Sequence, residues 1–195
     1  MKNRSTYKNS PLHKLSLAIV VIVLTLGATH ASTIDVTKRG ADNSGKTKTS
    51  AVINSLIDSL TSKGGGTLYF PAGTYFCGPI VLKSNITLNL DAGATLLFSD
   101  DFDDYLPMVQ SRWEDVRVKT FISPIYARGA SNISITGRGH IEGQGKKWWD
   151  YWFKVNRENI NDCKYQKMFD ELNAETIRKN PYLQKMKHFF RPSMI

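Results

Sequence analysis

A chain of 195 residues, 41% hydrophobic and 22% charged, has enough apolar material for one substantial core, and this balance excludes both a disordered polyelectrolyte and a polytopic membrane protein. The formal net charge is +9; setting aside the four cations of the leading segment, Lys2, Arg4, Lys8 and Lys14, leaves about +5. A mildly basic surface attracts polyanions, but charge alone does not choose among nucleic acid, membrane headgroups and an acidic polysaccharide.

The chain opens on a pattern of export. The four cations precede an apolar run over residues 15–26, and residues 27–31 follow as a cleavage region ending in Ala31. The run is shorter than the roughly 20 residues that a membrane-spanning helix requires. Residues 1–31 are therefore expected to be a signal peptide cut near Ala31, and the mature protein to be secreted or periplasmic without stable membrane insertion. Cys77 and Cys163 are the only cysteines. Export permits them to pair, but two cysteines are no disulfide framework. Neither CxxC nor clustered His spacing accompanies them, so no metal and no cofactor is expected.

A short strand is expected over residues 33–37, then a polar turn through Gly40, Asp42, Asn43, Ser44 and Gly45. The period changes next. Val52, Ile53, Leu56, Ile57 and Leu60 recur at three and four, with Thr49 or Ser50 placed to accept the first free backbone N–H groups. This predicts one amphipathic helix over about 49–62, ended by Gly64, Gly65 and Gly66. Short β runs follow at 67–70, 74–76, 80–82, 86–90 and 94–98, punctuated by Pro71, Gly73, Gly78, Asn85 and Gly93, and a second group falls at 125–127, 133–136 and 140–142.

Asn85, Ile86, Thr87 and Leu88 recur in kind as Asn132, Ile133, Ser134 and Ile135, 47 residues later. That spacing reads as about two coils of a strand-based solenoid with coils of roughly 20 to 29 residues. The fold class expected is all-β: a parallel solenoid whose coils turn an apolar edge inward, with an all-β sandwich as the alternative. The amphipathic helix then serves as the N-terminal cap, covering the apolar end and free strand edges of the first coil. Residues 100–118, rich in Asp and aromatics, suit a protruding loop. Residues 146–188 read as a partly helical insertion in which Tyr165, Met168, Phe169, Leu172 and Ile177 keep helical spacing.

Four segments carry a family likeness. Asp35, Val36, Arg39, Gly40, Ala41 and Asp42 form an opening turn, and Gly64 to Gly66 lead into Leu68, Tyr69, Phe70, Pro71, Ala72, Gly73, Thr74 and Tyr75. Gly78, Pro79, Ile80, Leu82, Lys83, Ser84 and Asn85 run on to Leu90, Asp91, Gly93, Ala94 and Leu96. Most specific is Gly137, Arg138, Gly139, His140, Ile141, Glu142, Gly143, Gln144 and Gly145, followed by Trp148 and Trp149. In this order they resemble the N-terminal half of glycoside hydrolase family 28, the polygalacturonase and rhamnogalacturonase group. Glu142 stands where that family more often has Asp, and Arg191, Pro192, Ser193, Met194 and Ile195 look like the start of its next coil.

The resemblance implies a right-handed parallel β-helix of pectate-lyase-like type and a parent enzyme that hydrolyses pectin or polygalacturonate with inversion, monomeric when complete and without nucleic acid as partner. Inversion needs a protonated carboxylic acid and a carboxylate base roughly 6.5 to 9.5 Å apart. The family's Asn-Thr-Asp and Gly-His-Gly motifs do not occur in the sequence, and the Asp-Asp pairs, Asp100 with Asp101 and Asp103 with Asp104, stand without them. Residues 32–195 are therefore expected to be the N-terminal part of the glycosidase domain, truncated before its catalytic residues and inactive alone, with no catalytic residue assigned. Asp100, Asp101, Asp103 and Asp104 are expected to be solvated loop carboxylates, and His140 an outward turn residue. Trp148 and Trp149 are expected to pin the insertion to the solenoid wall, with stacking on sugar rings as their alternative role. A non-catalytic carbohydrate-binding or adhesion module and a calcium-dependent pectate lyase are the alternative functions.

Overall fold

The computed structural model describes residues 32–113, 115–157 and 163–185, so the expected signal peptide and residues 191–195 lie outside the described residues. The core is built by strands that alternate an inward apolar residue with an outward one. β2 (Gly66–Phe70), β5 (Ile86–Leu90) and β6 (Ala94–Phe98) each bury every second residue.

Three parallel sheets result, and the chain visits them in turn. The first orders β1 (Ser32–Asp35), β2, β5 and β10 (Ser134–Gly137). The second orders β11 (His140–Glu142), β6 and β3 (Gly73–Cys77), and the third pairs β4 (Ile80–Leu82) with β9 (Ile125–Ala127). Parallel pairing in all three excludes the antiparallel sandwich.

Register stacks like on like: Leu68 beside Leu88 beside Ile135, Tyr75 beside Leu96 beside Ile141, and Ile80 beside Ile125. Burying each such aliphatic side chain contributes about 1.5–3 kcal/mol. Gly66 lies beside Ile86, an advance of 20 residues, whereas Thr87 lies beside Ser134, an advance of 47. The 47-residue repeat is thus one circuit and not two, because residues 99–124 leave the sheets between β6 and β9. Asn85 and Asn132 stack at the turn into the first sheet, both with left-handed backbone, and the Asn132 amide donates to Asn85 Oδ1 at 2.9 Å. Gly65 holds the same turn one circuit earlier. A Cβ there would fall 2.3 Å from that of Asn85, so only glycine lets the two turns approach.

α1 (Ser50–Thr61) buries Ile53, Ile57 and Leu60 in the same apolar cluster as Leu68, Leu88 and Leu96. Its Asn54 replaces a strand: the side-chain amide donates to Pro79 O at 3.0 Å, and its oxygen accepts from Val81 N at 2.9 Å, closing an edge of β4. The expected N-cap is absent. Thr49 makes no side-chain cap bond and its hydroxyl is buried without a partner, while the Ser50 hydroxyl accepts from Gly78 N at 3.2 Å. Tertiary contact has outcompeted local capping.

The segment expected as a loop is more ordered than that. A 3₁₀ turn at Phe102–Tyr105 leads into an antiparallel hairpin of β7 (Val109–Trp113) and β8 (Val116–Thr120). The later insertion holds α2 (Gly145–Arg157), α3 (Lys164–Leu172), α4 (Ala174–Lys179) and α5 (Pro181–Lys185). Together these segments form a second core around Phe102, Tyr105, Phe121, Trp148 and Phe169. Of the helix-spaced apolar residues, Tyr165 and Phe169 are buried there but Leu172 faces solvent. Cys77 and Cys163 are each buried and unpaired, one in each core, and burial pushes the Cys77 thiol up to about 12.

Candidate functional site

The outer face of the second sheet carries the polar ends of the most specific motif. Register aligns Thr74, Thr95 and His140 in one outward row and Phe76, Leu97 and Glu142 in the next. His140 is exposed as expected, though it begins β11 and is not in a turn. Gln144 has left-handed backbone, and its amide donates to Phe98 O at 2.6 Å while its N–H donates to Glu142 Oε1 at 2.8 Å. The Gly-Gln-Gly stretch thereby finishes the edge of β6 and launches α2. A hollow of about 530 Å³ forms there, lined by Leu97, Asp100, Glu142, Gln144, Lys146 and Lys147 among others.

The acidic run stays at the surface as expected, with Asp101 and Asp103 exposed and Asp100 and Asp104 half-buried, and its carboxylates also hold structural partners. Asp101 caps the 3₁₀ turn by accepting from Asp103 N at 3.0 Å. Asp103 accepts from Lys164 at 2.7 Å and from the Tyr165 hydroxyl at 2.9 Å, and these hydrogen bonds hold its carboxyl below the usual carboxylate value. For Asp104, burial pulls the pKa upward, but hydrogen bonds from Lys48 and Ser99 outweigh it and the net shift is downward. Lys48 Nζ lies 2.6 Å from its Oδ1. Carboxyls held this way are ionised at neutral pH and paired with cations, the opposite of what a general acid requires. The two tryptophans separate. Trp148 is 4% exposed, with ring centroids 4.3 Å from Phe102 and 5.2 Å from Phe121, whereas Trp149 is 46% exposed and stacks beside Phe153.

A cleft of about 900 Å³ opens between β9 and the β7–β8 hairpin, and sequence reasoning missed it. Arg112, Arg117 and Arg128 line it together with Gln110, Ser111, Ser123, Tyr126 and Thr176 of α4. These residues lie up to 66 positions apart in the chain, and no local pattern joins them. Asn173 sets the helical wall: its side chain accepts from Lys119 N at 2.7 Å and donates to Lys119 O at 2.9 Å, fastening α3 and α4 to the edge of β8.

Comparison with known proteins places this geometry. Residues 33–105 match the family described as rhamnogalacturonase A/epimerase, pectate lyase-like. An exo-poly-α-D-galacturonosidase of Dickeya chrysanthemi is 36% identical over 121 residues, which is 58% of this chain and 20% of that protein. A probable polygalacturonase of Vitis vinifera is 32% identical over 119 residues, 56% of this chain and 24% of the relative. Among solved structures, the hyperthermoactive exopolygalacturonase of Thermotoga maritima aligns with a TM-score of 0.67 at 27% identity, over 92% of this chain and 42% of its own. The family 28 exopolygalacturonase of Yersinia enterocolitica aligns at 0.53 and 37%, over 60% and 21%. The chain therefore spans about a fifth to a quarter of the length of these curated relatives. Over residues 33–105 it is similar to the pectate-lyase-like class. Within that class it is similar to the polygalacturonases, so the resemblance to glycoside hydrolase family 28 read from its motifs holds.

Proposed function

We propose that this chain is part of an exported polygalacturonase-like hydrolase that cleaves α-galacturonide links of pectic polysaccharide with inversion. In this reading the three parallel sheets are the faces of a right-handed parallel β-helix whose coils are the successive circuits of the chain, α1 is its N-terminal cap, and residues 1–31 direct export. The observation that carries it is the regular register of parallel circuits together with the likeness to an exopolygalacturonase over 92% of the chain. The general acid and base belong to coils beyond residues 32–195, on a sheet whose rigid backbone can hold two carboxylates at the separation inversion requires.

The pairing of Asp103 and Asp104 with lysines supports leaving them out of the catalytic pair. The test is release of reducing ends from polygalacturonate, with the anomer of the first product read by NMR. The chain of residues 32–195 alone is expected to release none, and the complete gene product to release the inverted anomer. Activity from the chain alone would overturn the placement of the acids. An unsaturated product formed only with calcium would select elimination instead.

A further inference from the structure

The hairpin sets Arg112 directly opposite Arg117 in the antiparallel register, so both side chains stand on one face of the ribbon. Like charges directly opposite one another repel and weaken the pair. Arg112 gains little relief from Asp115, whose carboxyl is 3.6 Å away and fully exposed. Among the described residues no carboxylate lies within ion-pair distance of Arg117 or Arg128. All three arginines line the 900 Å³ cleft, and Asp115 is not among the lining residues. Asp115 at the rim relieves the repulsion only weakly, so an anion entering the cleft would stabilise it.

We propose that this cleft binds the carboxylates of a linear polyuronate, at a site apart from the outer face of the second sheet. A guanidinium carries five N–H donors in a planar fork that matches a carboxylate two bonds at a time. A chain with one carboxylate per sugar can therefore satisfy several arginines at once. Half-buried Tyr126 offers a ring to pyranose C–H groups, and Ser111 and Ser123 offer hydroxyls. The site would hold an acidic chain on the solenoid while another stretch of it is cut. The proposal rests on the polygalacturonase-like reading only for the identity of the polyanion.

The test is calorimetric titration of the folded chain with trigalacturonate and with its methyl ester, at low and moderate salt. The expected result is binding that the ester does not show and that salt weakens, with Arg117→Gln and Arg128→Gln each reducing affinity about tenfold. Arg117→Gln should melt no lower than the parent, because it removes a like-charge pair, so lost binding cannot be blamed on lost folding. Absence of binding, equal binding of the ester, or affinity unchanged in both variants would each overturn the proposal. Hydrolysis by the complete gene product is a separate readout: its failure leaves this site standing, and failure of this site leaves hydrolysis standing.

Discussion

In the stacked sheets the apolar residues are mostly aliphatic and arrive in columns, Leu68 over Leu88 and Ile80 over Ile125. In the second core they are mostly aromatic and arrive from segments far apart, with Phe102, Phe121, Trp148 and Tyr165 meeting edge to face or tilted. A column extends one circuit at a time, each new strand finding its template already laid, so its residues need only the right period. An aromatic cluster has no template. Its members must be brought together by loops before any of them is buried, and the cost of ordering those loops is met only when the set is complete. The two regions share one device: Asn54 fastens α1 to the edge of β4 as Asn173 fastens α3 and α4 to the edge of β8. An amide side chain on or between helices thus closes strand edges that would otherwise pair with another chain.

The largest expected effect separates the two cores. Trp148→Ala should cost about 4 kcal/mol in urea melts, while Trp149→Ala should stay within about 0.5 kcal/mol. Hydrogen exchange would sharpen the contrast: in Trp148→Ala, protection should fall at Lys119 and persist at Leu88, and an equal fall at both would merge the regions into one cooperative unit. Next comes the stack's own close approach. Gly65→Ala should cost about 3 kcal/mol, because the backbone is left-handed and the methyl group collides with Asn85. Gly129→Ala, left-handed at φ 64° and with nothing within 4 Å, should cost about 1 kcal/mol.

The asparagine clamps should be nearly equivalent, Asn54→Ala and Asn173→Ala each losing about 2 kcal/mol by stranding backbone groups at a strand edge. Thermal melts that differ severalfold would show that only one edge is protected from solvent without its clamp. The smallest effect is electrostatic. The Asp104 carboxyl titrates below its ordinary 3.8 in the folded chain. Its contribution is therefore fully present above that value and is lost as pH falls through the folded pKa. Both partners are partly exposed, so the loss should be about 0.5 kcal/mol or less, and Lys48→Met should remove it from the pH profile of stability.

The last described circuit marks the limit of this order. Ile133 is 38% exposed and Ile135 and Ile141 only partly buried, although Leu88 and Leu96 on the preceding circuit are fully covered. The periodic signal is the same in both circuits. What differs is whether a following layer covers them.

Strand positions, the helix over Ser50–Thr61 and the turn glycines were legible because each follows from local chemistry: a period of two, a period near 3.6, and a backbone that only a residue without Cβ adopts readily. The motif resemblance was legible for the same reason, being written in contiguous residues. Tertiary structure alone decided that the 47-residue repeat is one circuit, that Asp103 and Asp104 serve lysines distant in sequence, that adjacent Trp148 and Trp149 part between core and solvent, and that three arginines share a cleft. Each depends on which distant segment arrives alongside, and a residue's own neighbours in sequence carry no record of that.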